Sequence, residues 1–477
     1  MKTLLKYNAE FAKNIWLEIS PMRLIAMPAV IGLVLLALYI NANDTPNNFY
    51  KTVHEVSLGG FVIIGLIWGM KNAADSIINE HNESTWDWQK MSSLGALKLV
   101  LGKLFGSTIY NWYGALICWL LFMLTSGYKN TYNYKIFQDE NTLTHDYNLG
   151  ITLLIIMIIL TGLVQLIALQ LMRKTSVRAK IKSSQLIIIG VVLLSFTSNI
   201  FIEESYSSNK SMFDNWYNLP INATILSSLF YCIWVLAGLY RSMRTELQFS
   251  DVPTWWGTFI ITNFLFQLGF FVGVSTEPDS APFSMCILFY CVQLVAILYL
   301  LAFSEAKSIV NFTTLISAIK TKNYRSFFEN APLWLITLPI VFLFGIIATV
   351  LSFNFIELNK AAFTSNSMAF PTDKITLAAA NGSLLITVFG FVVRDLGVLL
   401  LFNFSSYTKR ADVAMLIYMA LVYGLLPLLV KGSGLVGLFY PNVEGNMLIS
   451  VIASVIEALV VLFLLRQRWN ELSKAAQ

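Results

Sequence analysis

Charged side chains are scarce in this chain. Only 12% of its 477 residues are Asp, Glu, Lys or Arg, whereas 56% are hydrophobic, and the mean hydropathy is +0.66. A soluble domain carries about 25% charged residues. Half that share, combined with such apolarity, excludes an ordinary soluble globular protein and predicts an integral membrane protein.

Histidine and cysteine are also rare. The three histidines, His54, His81 and His145, are expected in loops without a second ligand nearby, which argues against a metal site. The four cysteines all fall in apolar runs, so no disulfide is expected in an outward loop and the thiols should be buried and inert. They are Cys118, Cys232, Cys286 and Cys291.

Catalytic and nucleotide-binding motifs are missing. The sequence has no G-x-x-x-x-G-K-[ST] loop, no G-x-S-x-G and no H-E-x-x-H. The first of these cradles nucleotide phosphates, so we expect no ATP site in this chain and no cofactor. We also expect no enzyme activity. The net charge of +5 follows from the bias of Lys and Arg described below, so it does not indicate nucleic-acid binding.

Twelve apolar runs are long enough to be membrane spans, since a helix needs about 20 residues to cross a bilayer. The predicted fold is therefore an all-α polytopic membrane protein with about 12 transmembrane helices. The second run is short and the tenth is interrupted by charge, which leaves eleven as the alternative. The runs are 24–40, 56–70, 108–124, 149–172, 186–202, 221–240, 255–274, 285–303, 333–353, 375–398, 413–430 and 447–465.

Lysine and arginine gather on the cytoplasmic side of membrane proteins. With twelve spans, 24 of the 32 basic residues lie on the side of the two termini and seven on the other, while Arg394 lies within a span. This bias predicts a protein of the cell (inner) membrane with both termini in the cytoplasm.

The first twenty residues are expected to form an amphipathic segment rather than a cleavable signal peptide. Leu4, Leu5, Phe11, Ile15 and Trp16 are spaced as one apolar stripe. We expect an interfacial helix before the first span.

The sequence has features of an internal duplication. Spans 6 and 12 both end in paired arginines, and short basic turns follow spans 4 and 10. The longest inward loops follow spans 2 and 8. These similarities predict two parallel six-span halves, 1–245 and 246–477, related by an axis along the membrane normal. The alternative is a loop rhythm shared by chance.

The connector between spans 2 and 3, residues 80–103, is polar and amphipathic. It contains acidic residues, then Thr85-Trp86-Asp87, and closes with Leu99-Val100-Leu101-Gly102-Lys103. This pattern resembles the cytoplasmic segment of type-2 ABC exporter permeases, and the resemblance is best over residues 75–115. Ser93 stands where members of that family often have proline. The second-half loop, 304–331, keeps an acidic start but lacks the other elements.

The resemblance implies a cytoplasmic coupling helix, within segment 75–107, that docks on a separate ATP-hydrolysing subunit. ATP and Mg would then be bound by ABC ATPase subunits, two per complex. Whether the complex also contains a second membrane subunit is left open. The lipid bilayer is a further expected partner, and no binding to nucleic acid is expected. The residues assigned to docking are Glu80, Glu83, Thr85, Trp86, Asp87, Gln89, Gly102 and Lys103.

The side-chain chemistry of the connector is compatible with docking. Glu80 and Glu83, at i and i+3, are expected on one helix face. Trp86 and Trp88 offer the large apolar area that dominates interface energies, and Gly102 permits close approach of a neighbouring helix. The alternative is an interfacial helix with tryptophans at the lipid headgroups.

Polar residues inside predicted spans are candidates for a transport pathway or for packing. Arg394 and Asp395, adjacent in sequence, are expected to face different sides. The alternative is an ion pair at the inner boundary of the membrane that fixes packing. A depth difference of ~15 Å between Arg394 and Glu457 argues against a direct pair, unless the predicted span starts are off by one turn or the arginine side chain extends outward. Asn263 and Gln267, at i and i+4, should share a face and hold helices together.

Three functions remain open from the sequence. The first is the transmembrane permease component of an ABC exporter. The second is a proton-coupled secondary transporter with Glu457 as the carrier. The third is a membrane anchor or assembly factor that does not transport and tolerates substitution of Glu457.

Overall fold

A computed structural model describes most of the chain, and every description below refers to that part. The described residues are 8–41, 46–92, 94–126, 140–174, 216–217, 219, 222–249, 253–274, 282–305, 307, 309–358, 374–405, 411–430, 435–440 and 447–475. Within these ranges the only extended pairing is an isolated bridge between Trp216 and Leu219, and the regular structure is helical. The chain divides into two compact units, Met1–Asp251 and Val252–Gln477.

The first unit contains nine described α-helices. The π-helical stretch Val62–Trp68 joins α3 to α4, and Gly102–Gly106 is a second π-helical stretch between α6 and α7. The helices are α1 (Ala9–Glu18), α2 (Pro21–Asn41), α3 (Pro46–Phe61), α4 (Gly69–Asn82), α5 (Trp86–Lys90), α6 (Ala96–Leu101), α7 (Ile109–Thr125), α8 (Glu140–Lys174) and α9 (Ala223–Glu246).

The second unit also contains nine described α-helices. A π-helical stretch, Ala420–Leu425, joins α16 to α17, and a 3-10 turn covers Leu435–Leu438. The helices are α10 (Thr254–Val274), α11 (Pro282–Ser304), α12 (Ile309–Lys320), α13 (Tyr324–Asn330), α14 (Leu333–Leu358), α15 (Lys374–Asn403), α16 (Ala411–Met419), α17 (Leu426–Leu429) and α18 (Met447–Ala475).

Seven helical segments in the described ranges are long and apolar enough to cross a membrane, or up to ten if each bent pair is one span. The protein is therefore a helical membrane protein, as its composition indicates. Helix α10 covers the seventh predicted span, whereas the fifth, 186–202, lies outside the described residues. The count of twelve stays a prediction.

In the first unit, α8 and α9 run parallel in close contact. A Cβ added at Gly162 would lie 2.9 Å from Cγ1 of Val235, and one added at Gly238 would lie 3.2 Å from Cδ1 of Leu166. Small residues at such contacts let helix backbones approach closely, and van der Waals packing then holds them together.

In the second unit, α15 and α18 pair in the same parallel manner. A Cβ at Gly390 would lie 2.8 Å from Cβ of Ser454, and one at Gly397 would lie 2.5 Å from Cγ1 of Val461. Arg468 Nε donates to the carbonyl oxygen of Phe404 at 3.2 Å. All three contacts join residues 64 positions apart, so the two helices keep one register along their length.

The histidines lie in helices, and the prediction of loop positions is wrong. His54 is in α3, His81 in α4 and His145 in α8, because these helices extend beyond the apolar runs that define the predicted spans. The ring of His54 is buried and stacks on Phe122, with ring centroids 4.3 Å apart.

Candidate functional site

The connector of residues 80–103 is not one helix. Helix α4 ends at Asn82, Ser84 adopts a left-handed φ of 59°, and the five-residue α5 follows before α6 begins at Ala96. The turn at Ser84 follows Glu83, whose backbone N donates to the carbonyl oxygen of Asn79 at 2.8 Å, so Glu80 and Glu83 keep the predicted i, i+3 spacing. Glu80 is largely buried, whereas Glu83 is exposed.

Helix α1 packs directly on the end of the connector. Asn8 Nδ2 donates to the carbonyl oxygen of Lys98 at 2.8 Å, and Asn14 Nδ2 donates to that of Gly102 at 3.1 Å. A Cβ at Gly102 would lie 2.8 Å from Cβ of Glu10, and one at Gly106 would lie 2.9 Å from Cβ of Asn14. The two glycines therefore leave the space that α1 occupies.

Four charged residues meet where α1 contacts the connector, and we call them the connector ion cluster (Glu10, Lys13, Glu80, Lys103). Lys103 is 1% exposed; its Nζ pairs with Glu80 and lies 3.4 Å from Oε1 of Glu10. Lys13 Nζ lies 3.3 Å from Glu10 Oε1 and 3.1 Å from Glu80 Oε1. Two ammonium groups thus balance two carboxylates, as a buried set of charges requires.

Neutral groups complete the connector ion cluster. Gln89 Nε2 donates to Glu80 Oε1 at 2.5 Å, and Lys103 Nζ also donates to the carbonyl oxygen of Ser76 at 3.3 Å. Glu80, Gln89, Gly102 and Lys103 therefore serve internal packing of the connector.

Lys13 is the one member of the cluster that is about half exposed. Burial lowers the pKa of Lys13, but the attraction of Glu80 and Glu10 outweighs burial, so the pKa is raised above its ordinary 10.5. A raised lysine pKa means that the stabilisation is complete below 10.5 and is lost only as the pH rises through the folded-state value. The Lys13 ammonium group is therefore fully charged at neutral pH.

Trp86 faces inward, which corrects its predicted role as an exposed contact. Its side chain is 5% exposed and belongs to the first unit's apolar core. Lys103 Nζ lies 5.4 Å from the centre of its ring, within the range of a cation–π contact. The five-residue helix α5 turns its first side chain inward and leaves Trp88 outward.

The outward residues of this segment form what we call the exposed connector surface. Asp87 is 79% exposed in its side chain, and Trp88 and Met91 are each 74% exposed. Such a large bare tryptophan is unusual on a polar segment, because aromatic area is normally buried. The exposed connector surface consists of Glu83, Thr85, Asp87, Trp88 and Met91.

A second ion pair ties α5 to two long helices. Glu246, at the end of α9, lies 2.5 Å from Arg173 Nε at the end of α8 and 3.7 Å from Lys90 Nζ in α5. Arg173 Nη2 also donates to the carbonyl oxygen of Ser242 at 2.5 Å. Sequence reasoning missed Glu246; its only signal is an acidic residue directly after a basic span end.

Arg394 lies at the centre of a polar network within the second unit. Its Nη1 donates to Glu457 Oε2 at 2.6 Å and its Nε donates to Asp395 Oδ1 at 2.9 Å. The expectation against a direct pair with Glu457 is wrong, whereas the bond to Asp395 fits the alternative of an ion pair that fixes packing. The starts of α15 and α18 are 73 residues apart whereas their register is 64, so α15 begins farther out and the depths of Arg394 and Glu457 match. The flexible arginine side chain bends back to its neighbour.

Two tyrosines complete this intramembrane network, and the sequence did not reveal them. The hydroxyls of Tyr299 and Tyr423 donate to Asp395 Oδ2 at 2.7 Å and 2.6 Å. Arg394 Nη2 donates to the Tyr423 oxygen at 2.8 Å. The side chains of Arg394 and Asp395 are buried, while that of Glu457 is 36% exposed. Two carboxylates therefore share one guanidinium.

Asn263 and Gln267 of α10 meet one partner on α11. Asn263 Nδ2 donates to Gln293 Oε1 at 3.2 Å, and Gln267 Nε2 bonds to the same oxygen. The contact links α10 to α11 through neutral side chains, an arrangement suited to helix packing.

No metal centre occurs in the described ranges, which contain no group of three or more His, Cys, Asp or Glu residues placed to hold an ion. The exposed connector surface and the intramembrane network are thus the two candidate sites. No family model matches the chain, and no curated protein or solved structure matches it either.

Proposed function

We propose that this chain is the membrane-spanning permease of an ABC exporter, with separate ATPase subunits docking on the exposed connector surface. In this proposal the chain has twelve spans in two parallel six-span halves and both termini in the cytoplasm of a cell whose inner membrane it occupies. The observation that carries it is the exposed pair Asp87 and Trp88, on a segment fixed by the buried Glu80–Lys103 pair.

The chemistry of the exposed connector surface suits a protein partner. Large aromatic side chains dominate interface energies when a partner buries them, and Trp88 is available for this role. Glu83 and Asp87 give the surface two carboxylates, of which Asp87 also lies 3.6 Å from Lys90 Nζ. The carboxylates favour a partner with basic residues and speed its association. Thr85 adds a hydroxyl beside them.

Two sets of ion pairs connect α5 to the spans, so a displacement of α5 can be transmitted to them. A push on α5 reaches α4 and the start of the third span through Glu80 and Lys103. It reaches the ends of α8 and α9 through Lys90, Glu246 and Arg173. ATP and Mg bound in the partner would thus change the positions of several spans together.

The test is a pull-down of the tagged chain from its native membranes in mild detergent. We expect an ATP-binding subunit to co-purify and to be lost from Trp88→Ala and Glu83→Lys. The matched control is Trp16→Ala, which removes another exposed tryptophan, in α1, and should retain the subunit. Recovery of the chain alone would overturn the proposal, and so would full retention by both connector variants.

The intramembrane network supports a second candidate, a proton-coupled transporter with Glu457 as the carrier. Glu457 is its more exposed carboxylate, and Asp395 alone is sufficient to balance Arg394. Protonation of Glu457 would therefore release α18 from Arg394 without leaving the guanidinium unpaired. In proteoliposomes, a substrate flux that needs a pH gradient and is abolished by Glu457→Gln would favour this function over the permease. A substrate flux unaffected by Glu457→Gln would exclude the proton-coupled function.

A further inference from the structure

The second unit's connector runs across the direction of the spans that flank it. Helix α12 is bent by 118° from Phe289–Ser304, and α13 is bent by 102° from Leu333–Ile347. Helices bent at such angles from spans that cross the bilayer run closer to its plane than to its normal. We call α12 and α13 together the surface hairpin.

The turn between the two helices is closed by its own backbone. Asn323 N donates to the carbonyl oxygen of Ala318 at 2.9 Å and Lys322 N to that of Ile319 at 3.1 Å. Lys322 has a left-handed φ of 55°, a conformation that glycine adopts at no steric cost. The side chain of Asn323 then caps α13 by accepting from Ser326 N at 3.2 Å. A lysine thus occupies a strained position at the tip.

The tip of the surface hairpin carries excess positive charge. Lys320, Lys322 and Arg325 are all exposed, and Arg325 Nε pairs with Glu329 Oε1 at 3.0 Å. In the described part of the chain the two lysines have no acidic partner. The nearest acidic residue before the hairpin, Glu305, accepts from the backbone N of Leu333 at 3.1 Å and so caps α14.

Apolar side chains of the same hairpin are also bare. Val310 is 69% exposed, Tyr324 67%, Ile319 58% and Phe328 44%. Surface helices with apolar residues beside lysines and aromatics lie in the interface of a bilayer, where the apolar side chains enter the acyl boundary. The positive charges then meet lipid phosphates.

We propose that the surface hairpin binds anionic phospholipid, with Lys320 and Lys322 on the headgroup phosphate and Ile319, Tyr324 and Phe328 among the acyl chains. This site depends only on the chain being a membrane protein and not on an ATPase partner. Its charge is opposite to that of the exposed connector surface, so the two connectors recognise different partners.

The first experiment measures lipid preference. The full chain is reconstituted in nanodiscs of phosphatidylcholine and phosphatidylglycerol, and the phosphatidylglycerol retained after detergent extraction is counted by native mass spectrometry. Each lysine near an anionic surface contributes about a fivefold preference, so Lys320→Gln with Lys322→Gln should reduce the preference about 25-fold. The control, Lys51→Gln with Lys98→Gln, removes two exposed lysines elsewhere and should leave it unchanged. Equal retention in both variants would overturn the proposal.

A second experiment reports where the hairpin lies. A polarity-sensitive fluorophore on Ile319→Cys should emit as in lipid and be quenched by nitroxide-labelled lipid. The same fluorophore on Asp87→Cys should be quenched by aqueous iodide. Iodide quenching at both positions in vesicles would contradict the proposal. So would protection of position 319 only when a second protein is bound.

Discussion

The buried ammonium group of Lys103 is stabilised by partners that are distant in the sequence. A buried ammonium group is costly unless it is paired and hydrogen-bonded. Here the chain supplies Glu80 and Glu10 from two separate helices and a carbonyl oxygen from a third position. The same lysine read from the sequence alone is a membrane-boundary charge, because nothing local indicates the two carboxylates.

The first prediction concerns Glu80→Gln. This change leaves two ammonium groups against the single carboxylate of Glu10, and breaking such a buried pair costs about 3 kcal/mol of unfolding free energy. The expected result is a clearly lower melting temperature in detergent, followed by tryptophan fluorescence. Adding Lys103→Met to Glu80→Gln should recover part of the loss, because it restores the balance of charge.

The control for this prediction is Glu83→Gln, at an exposed position nearby, which should change the melting temperature little. An equal effect of the substitutions at Glu80 and Glu83 would show that the connector ion cluster does not stabilise the protein.

The position of helix α1 is likewise set by contacts with distant parts of the chain. Its predicted apolar stripe places it at the membrane interface, but the contacts that fix it are polar: Asn8, Glu10, Lys13 and Asn14 bond to the connector. Trp16 is 82% exposed and takes no part in this docking. The helix therefore uses one face for the connector and leaves another bare.

The second prediction concerns Gly102→Ala. The added methyl group would meet Cβ of Glu10 at 2.8 Å and the backbone N of Phe11 at 3.0 Å, so α1 must shift. Overpacking of this kind costs about 1–3 kcal/mol, and the measurement is the melting temperature together with protease cleavage near α1. Gly95→Ala is the matched control, because a Cβ there meets nothing within 4 Å. Cleavage and stability that are alike in the two variants would refute the docking of α1.

Helix register explains another difference between sequence and structure. The ends of apolar runs are poor markers of depth, since α15 begins well before the level at which α18 begins. The close contacts of Gly390 and Gly397 keep α15 and α18 in the register that places Arg394 beside Glu457. These small residues are visible in the sequence, but their partners on α18 are not.

At the scale of the whole molecule, the two units pair corresponding helices in the same way. The helices of the fourth and sixth predicted spans in the first unit, and of the tenth and twelfth in the second, run parallel over small residues. The two connectors predicted to face inward nevertheless differ, since one encloses an ion cluster and the other exposes lysines. A duplicated chain with two different connectors is the interpretation that these features favour.

The third prediction is the topology. Because lysine and arginine favour the cytoplasmic side, a membrane-impermeant maleimide should label Asp87→Cys and Thr321→Cys only after cells are permeabilised. Tyr217→Cys, in a predicted outward loop, should react in intact cells. Labelling of Asp87→Cys and Tyr217→Cys from the same side would exclude the proposed arrangement.

The sequence by itself determined the class of protein, the position of most helices and which segment carries polar chemistry. Lipid imposes these features locally, because each span must be long, apolar and satisfied in its own backbone hydrogen bonds. Only the tertiary structure decided that Trp86 is inward and Trp88 outward, that Lys103 meets Glu80, and that Arg394 meets Glu457. The pairs Lys103–Glu80 and Arg394–Glu457 join residues 23 and 63 positions apart. Such pairing depends on how helices turn and slide against one another, which the local sequence does not encode.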